Sequence, residues 1–248
     1  TRYSASAGLP ELKAAISRKL KDVNGVTAAP ENILVTNGAK QAVYEVLQAL
    51  CEPGDEVLIP APCWVTFPEA VKLAGAVPVL VPAGADHQLD LEALERAATP
   101  RTRAIILNTP NNPTGAVYPE AALRAVVALA ERLGLTIIAD EAYEALVYDG
   151  ARQVSVASLG AAARTVTIQT FSKSFAMTGF RVGYLAGPAE VVEAVGRIHG
   201  HVTGNACTFA QYGALAALGL GDAHRSPWRV AHQKRRDVAF ELGAKLFA

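Results

Sequence analysis

The feature that most constrains this chain is an alternation. Seven short runs, mostly apolar and rich in β-branched residues, are separated by longer stretches with helical spacing. The runs are Ile33–Thr36, Glu56–Pro60, Val77–Pro82, Arg103–Asn108, Leu135–Asp140, Thr165–Thr170 and Val182–Gly187. Runs without polar alternation read as strands covered on both faces. The stretches between them read as helices. Pro10–Asn24 places Leu12, Ala15, Ile16 and Leu20 on one stripe and ends at Gly25, a helix stop. Gly38–Cys51, Val65–Ala74, Leu91–Ala98 and Pro119–Leu133 follow, the last with proline in its first turn. Beyond residue 188 only helical patterns continue, over Glu190–His199, Ala206–Leu220 and Trp228–Phe247. This order predicts an α/β fold: a mainly parallel, doubly wound sheet of about seven strands with helices on both faces.

The 248 residues provide for one large domain or one and a half. The expected division is a large domain over residues 1–200 and a helical segment over 201–248 that leads toward another domain. Lys+Arg and Asp+Glu both number 23, so the formal net charge is zero and no nucleic-acid partner is expected. No apolar stretch reaches the roughly 18 residues of a membrane span, so no membrane partner is expected either. Cys51, Cys63 and Cys207 are far apart and form no CxxC, which argues against a disulfide framework or a zinc knuckle. A reducing cytoplasm is the expected location. The chain opens at Thr1 and its one methionine is Met177, so either an initiator was removed or the sequence is part of something longer.

In an open α/β sheet, ligands sit beyond the carboxyl ends of the strands. The residues just after each run are therefore the candidates. Asn37-Gly38-Ala39-Lys40 opens a helix after the first run. Asn111-Asn112-Pro113-Thr114-Gly115 follows the fourth, Asp140-Glu141 ends the fifth with Tyr143 close behind, and Ser172-Lys173-Ser174 follows the sixth, with Arg181 beyond it. Each piece alone has an ordinary explanation: a strand-to-helix turn, an N-cap, a core tyrosine, a solvated lysine. An amide, a carboxylate, a phenol, a lysine and an arginine converging on one crevice suggest a cofactor site.

Taken in order, NGAKQA, PAPCWVTFP, NTPNNPTG, ADEAYEALVYDG and QTFSKSFAMTGFRVGYLAGP resemble the class I/II aminotransferases, pyridoxal-phosphate enzymes of fold type I. The resemblance begins near Tyr3 and runs almost to the C-terminus. It implies the cofactor pyridoxal 5′-phosphate, and amino acid and 2-oxo acid substrates. It makes Lys173 the lysine that holds the cofactor as a Schiff base and later moves a proton. Asp140 matches the partner of the pyridine nitrogen, Asn112 and Tyr143 the partners of the phenolic oxygen, and Trp64 the aromatic stacked on the ring. Gly38, Ala39 and Lys40 match the phosphate-holding helix start, completed by Thr170, Arg181 and Ser172. Tyr3 matches a tyrosine that reaches the phosphate of a neighbouring subunit, so a homodimer is implied.

The family pattern extends further on both sides, with an N-terminal segment over the site and a small domain carrying an arginine for the substrate carboxylate. The sequence stops at Ala248, so weak or absent transamination by this chain alone is the expectation. Cys63 stands where many relatives carry an aromatic residue. Two rival readings share these motifs: a lyase or decarboxylase on the same scaffold, and a non-enzymatic sensing domain of a regulator. Other features carry less. His199 and His201 lie two apart on a helix and diverge, so no metal is expected. Lys234-Arg235-Arg236 reads as a solvated face, and Gly219-Leu220-Gly221 lacks a dinucleotide fingerprint.

Overall fold

A computed structural model describes residues 3–246. The elements in chain order are α1 (Pro10–Asn24), β1 (Ile33–Thr36), α2 (Ala39–Leu50), β2 (Glu56–Ala61), α3 (Thr66–Leu73), β3 (Val77–Pro82), α4 (Leu91–Ala97) and β4 (Thr102–Asn108). They continue with α5 (Glu120–Leu133), β5 (Thr136–Asp140), β6 (Thr165–Thr170), the single turn α6 (Phe171–Ser174), β7 (Gly183–Ala186), α7 (Ala189–Val202), α8 (Thr208–Gly219) and α9 (Gly221–Leu246). The seven strands form one sheet in the order β1-β7-β6-β5-β4-β2-β3. Its pairs are parallel except at β7, which runs against both β1 and β6.

Alternate residues along each strand feed opposite faces, as a period of two requires. Leu34, Val57, Ile59, Ile106, Ile138, Ile168 and Leu185 join a core shared with α2, α3 and α7. On the other face, Ile33, Val35 and Tyr184 pack with α1 and α8, while Leu58, Ile105, Leu107 and Ile137 pack with α4 and α5. Burying Leu12, Ile16 and Leu20 of α1 contributes about 1.5–3 kcal/mol each. Gly25 ends that helix with a left-handed φ of 68°.

Strand and helix positions match the sequence expectation to within a residue or two in most places. Three details differ. Pro119 precedes α5 as its N-cap instead of lying in the first turn. The third strand is not covered on both faces: Val77 is 48% and Leu80 53% exposed. It is the edge of the sheet, where Pro78 and Pro82 cost no ladder bond that a neighbour needs. The last helix starts at Gly221, not Trp228, and carries Pro227 inside it. The exposed helix can leave to water the carbonyl that Pro227 cannot satisfy. Phe247, expected as its final residue, lies outside the described residues.

Within the helical segment, Ala206, Ala210, Ala214 and Ala217 are buried against the α1 face, whereas α9 buries none of its described side chains. Arg236 on α9 pairs with Asp149 and covers the Tyr148 ring, so this part of the basic run is fastened to the loop after β5. No described helix is long and apolar enough to cross a membrane.

Candidate active site

Strands β4, β5 and β6 end on Asn108, Asp140 and Thr170, three polar residues at one edge of the sheet. Asn108 pairs with Asp140 across the ladder. Gly183, the first residue of β7, pairs with both Thr170 and Thr36, the last residue of β1. A Cβ on Gly183 would stand 2.7 Å from the Ala39 nitrogen, so glycine there lets the first turn of α2 rest on the sheet edge. These contacts draw the loops after β1, β2, β4, β5 and β6 around one pocket of about 370 Å³.

One end of the pocket is cationic. α2 begins at Ala39, and the Ala39 and Lys40 N–H groups precede the first carbonyl-paired amide, Gln41, which donates to Gly38. Arg181 lies beside them. It donates to the carbonyls of Asn37 at 3.2 Å and Thr178 at 3.0 Å, and reaches the Ser172 hydroxyl at 3.5 Å. Thr170 donates its hydroxyl to the Val182 carbonyl and accepts the Ser172 N–H. Helix-start amides, a guanidinium and hydroxyls together make a cup for a multiply charged anion such as phosphate. Gly38 shapes it. Its φ of 84° and ψ of 166° belong to glycine, and a Cβ would lie 2.5 Å from Arg181 Nη2. Gly38→Ala is expected to cost about 1–3 kcal/mol of stability and to weaken inorganic phosphate binding at least about tenfold, read by urea unfolding and phosphorus NMR titration.

The far end is anionic. Asp140 is 2% exposed, and its Oδ1 accepts the Ala142 N–H at 3.0 Å. Burial pushes its carboxyl up to about 6, with the Ala142 hydrogen bond pulling the other way. The next residue, Glu141, points away from the pocket into Ser155, Val156 and Gln169, and burial pushes it up to about 7. Gln169 also meets Lys19 and Glu144, so α1 is tied to the turn that carries Asp140 and Tyr143.

Between the two ends lie the remaining groups. Lys173 sits on α6 and is exposed to the opening, its Nζ 5.5 Å over the ring of Tyr143. Burial, followed by the Asp140 charge, raises the Tyr143 phenol, against a 3.4 Å hydrogen bond from Asn112 Nδ2. Trp64 forms a wall, held edge-on by Phe67 at 5.4 Å, and the Lys40 ammonium lies 5.0 Å over its ring. The pocket can therefore grip an anion at one end, meet a cationic or protonated group at the other, and present an amine between them.

Of the residues singled out from sequence, Ala39, Lys40, Trp64, Asn112, Asp140, Tyr143, Thr170, Ser172, Lys173 and Arg181 line this one pocket, and Gly38 shapes its rim. Tyr3 does not line it and is 97% exposed. Asn108, Ala142 and Thr178 line it without having been singled out. Asn108 has a structural duty: its amide donates to the Asp140 carbonyl at 3.0 Å, and its Oδ1 accepts the Asn112 N–H at 2.7 Å. Its place at a strand's carboxyl end was the available signal. Cys63 is half-buried beside Trp64, and burial raises its thiol.

Comparison with known proteins agrees with this architecture. The family model described as aminotransferase class I and II matches residues 1–241. A bifunctional aspartate aminotransferase and glutamate/aspartate-prephenate aminotransferase from Petunia hybrida is 48% identical over 90% of this chain and 47% of its own length. A probable aspartate/prephenate aminotransferase from Aquifex aeolicus is 43% identical over 99% of this chain and 64% of its own. A tetra mutant of Thermus thermophilus aspartate aminotransferase superposes with a TM-score of 0.96 at 40% identity, covering 99% of this chain and 69% of that one. An aromatic aminotransferase from Pyrococcus horikoshii superposes with a TM-score of 0.94 at 40% identity, covering 97% and 66%. This chain thus spans about half to two-thirds of the length of these relatives.

Proposed function

Since the chain belongs to the class I and II aminotransferases, we propose that it forms the pyridoxal-phosphate-binding part of an aminotransferase that moves an amino group between an amino acid and a 2-oxo acid. The observation that carries this reading is the polarity of the pocket: an anion cup at Arg181 and the start of α2, a buried carboxylate at Asp140, and Lys173 between. Pyridoxal phosphate has a phosphate, a basic ring nitrogen and an aldehyde, one partner for each of these groups. The cradle that a Cβ at Gly38 would invade and the donor set around it fit the phosphate.

When bound, the cofactor supplies an aldehyde that joins an amine and a ring that draws off the electron pair left at the amino acid Cα. The chain's residues do the rest. Ala39, Lys40, Ser172 and Arg181 would hold the phosphate through N–H, hydroxyl and guanidinium donors, while Gly38, whose N–H goes to the Thr36 carbonyl, shapes the turn and Thr170, whose hydroxyl goes to the Val182 carbonyl, supports Ser172. Asp140, as a carboxylate, would keep the proton on the ring nitrogen. Asn112 and Tyr143 would donate to the phenolic oxygen, and Trp64 would offer its face to the ring. Lys173 holds the cofactor by its amine. Once free, that amine would take the proton from the amino acid Cα and deliver it to the cofactor carbon that had carried the aldehyde.

The names of the relatives point to acidic substrates such as aspartate and glutamate, with prephenate as an acceptor. The Lys40 ammonium on the pocket wall suits a second carboxylate. In this reading residues 1–200 are the large domain, and the 201–248 segment leads through α9 to a small one. A homodimer in the cytoplasm completes it, with Tyr3, which its own pocket does not use, reaching a partner's phosphate cup. Three free cysteines suit a reducing compartment.

The test is product identity, which slow turnover does not obscure. With pyridoxal phosphate, aspartate and 2-oxoglutarate, oxaloacetate and glutamate should appear in equal amounts. Release of ammonia or carbon dioxide in their place would favour a lyase or decarboxylase.

A further inference from the structure

The anion cup rests on a glycine, which cannot hold its own conformation. Its position must be fixed from outside. Asn37, just before Gly38, is pinned at both backbone groups: its carbonyl accepts from Arg181, and its N–H donates to Gln41 Oε1 at 2.7 Å. Gln41 belongs to the first turn of α2 and folds back over its own helix start, in the manner of a capping box. Its amide nitrogen donates to Glu45 Oε1 at 2.9 Å and meets the Thr203 hydroxyl.

Glu45 has no solvent exposure and neither has His199 on α7, whose Nδ1 lies 3.0 and 3.1 Å from the two carboxylate oxygens. His199 Nε2 is buried without a hydrogen-bond partner among the described residues. A proton on Nε2 would be a stranded donor, so the proton belongs on Nδ1, donated to Glu45. Glu45 then accepts from both sides and presents no donor. It therefore dictates which way the Gln41 amide faces: nitrogen toward Glu45, oxygen toward Asn37 N–H. Reversed, the amide would set donor against donor at Asn37.

The packing does not require this arrangement. Around it, α2 meets α7 through Val43, Val46, Val192 and Val195. Replacing both buried hydrogen-bonding partners by apolar groups of similar size is close to neutral in general. We infer that Gln41, Glu45 and His199 are positioning residues that set the phosphate-binding turn from behind, so that the chain discriminates phosphorylated from unphosphorylated pyridoxal through them. This rests on the function proposed above, at the same pocket.

The experiment compares pyridoxal phosphate with pyridoxal as ligands of the whole chain. In the double variant Glu45→Leu/His199→Leu the preference for the phosphorylated ligand should fall at least about tenfold, while pyridoxal affinity stays within about twofold. Amide exchange at Asn37, without ligand, should quicken. A purely structural role would instead move both ligands together, or neither. Gln41→Met, at a half-buried position, removes the last link and its hydrogen bond to Glu45 while keeping both Glu45 and His199, and should give the same pattern even if the double variant does not fold. An unchanged preference in folded variants overturns the inference while leaving the proposed function standing. No preference in the unsubstituted chain overturns the proposed function itself.

Discussion

Lys173→Ala should leave a folded chain that no longer retains pyridoxal phosphate through borohydride reduction, and should lower hydrogen exchange at the Cα of aspartate by about 10²–10⁴-fold, the range for losing a general acid–base. The fold should survive because the Lys173 side chain is exposed at the pocket opening and makes no hydrogen bond among the described residues. Its one notable contact is with the Tyr143 ring, worth about 0.5–1 kcal/mol at an exposed site. Added methylamine should restore part of the exchange, since a small free amine can carry the same proton. Denaturant midpoints close to the unsubstituted value, together with loss of the trapped adduct, would separate chemistry from folding.

Asp140→Asn should move stability and function in opposite directions. The buried carboxyl sits near 6 instead of its ordinary 3.8, so the native state holds its proton more tightly than the unfolded chain does. That stability is fully present below about pH 4 and is lost as the pH rises through about 6. Above pH 7 the ionised carboxylate costs on the order of 2–3 kcal/mol. Asparagine keeps the acceptor for the Ala142 N–H and removes the charge. The variant should therefore be more stable than the unsubstituted chain at pH 8 and differ little at pH 4. Glu141, pushed up to about 7 by burial, contributes a similar slope, so the variant's stability should still decline somewhat between pH 5 and 7. Function should suffer, because nothing else at that end keeps a ring nitrogen charged. A loss of about 10²–10³-fold in Cα–H exchange is the scale for one preorganised electrostatic partner. Urea unfolding at the two pH values and proton exchange read by NMR would check both halves.

Much of this was legible in the sequence because the strongest signals are local. β1, β3 and β6 were found at their observed ends, and α1 from its stripe and from Gly25. Chemical residues at strand carboxyl ends were found because parallel strands bring those ends to one edge. What stayed hidden depends on distant partners. The exposure of Val77 and Leu80 follows from strand order, which places β3 outermost. The pairing of Glu45 with His199 joins residues 154 apart, and Lys19 reaches Glu144 across 125. An isolated glutamate on α2 gives no sign of such a partner. Asn108 was passed over because the turn after it held the more conspicuous asparagines.

In the proposed function the pocket holds pyridoxal phosphate with Lys173 between an anion cup and Asp140. The most direct measurement is borohydride reduction of the chain after incubation with one equivalent of pyridoxal phosphate, followed by peptide mass mapping. A single reduced adduct is expected, on Lys173, formed at low ligand concentration and suppressed by excess inorganic phosphate. Label spread over surface lysines, or concentrated on Lys40 with Lys173 unmodified, would contradict it.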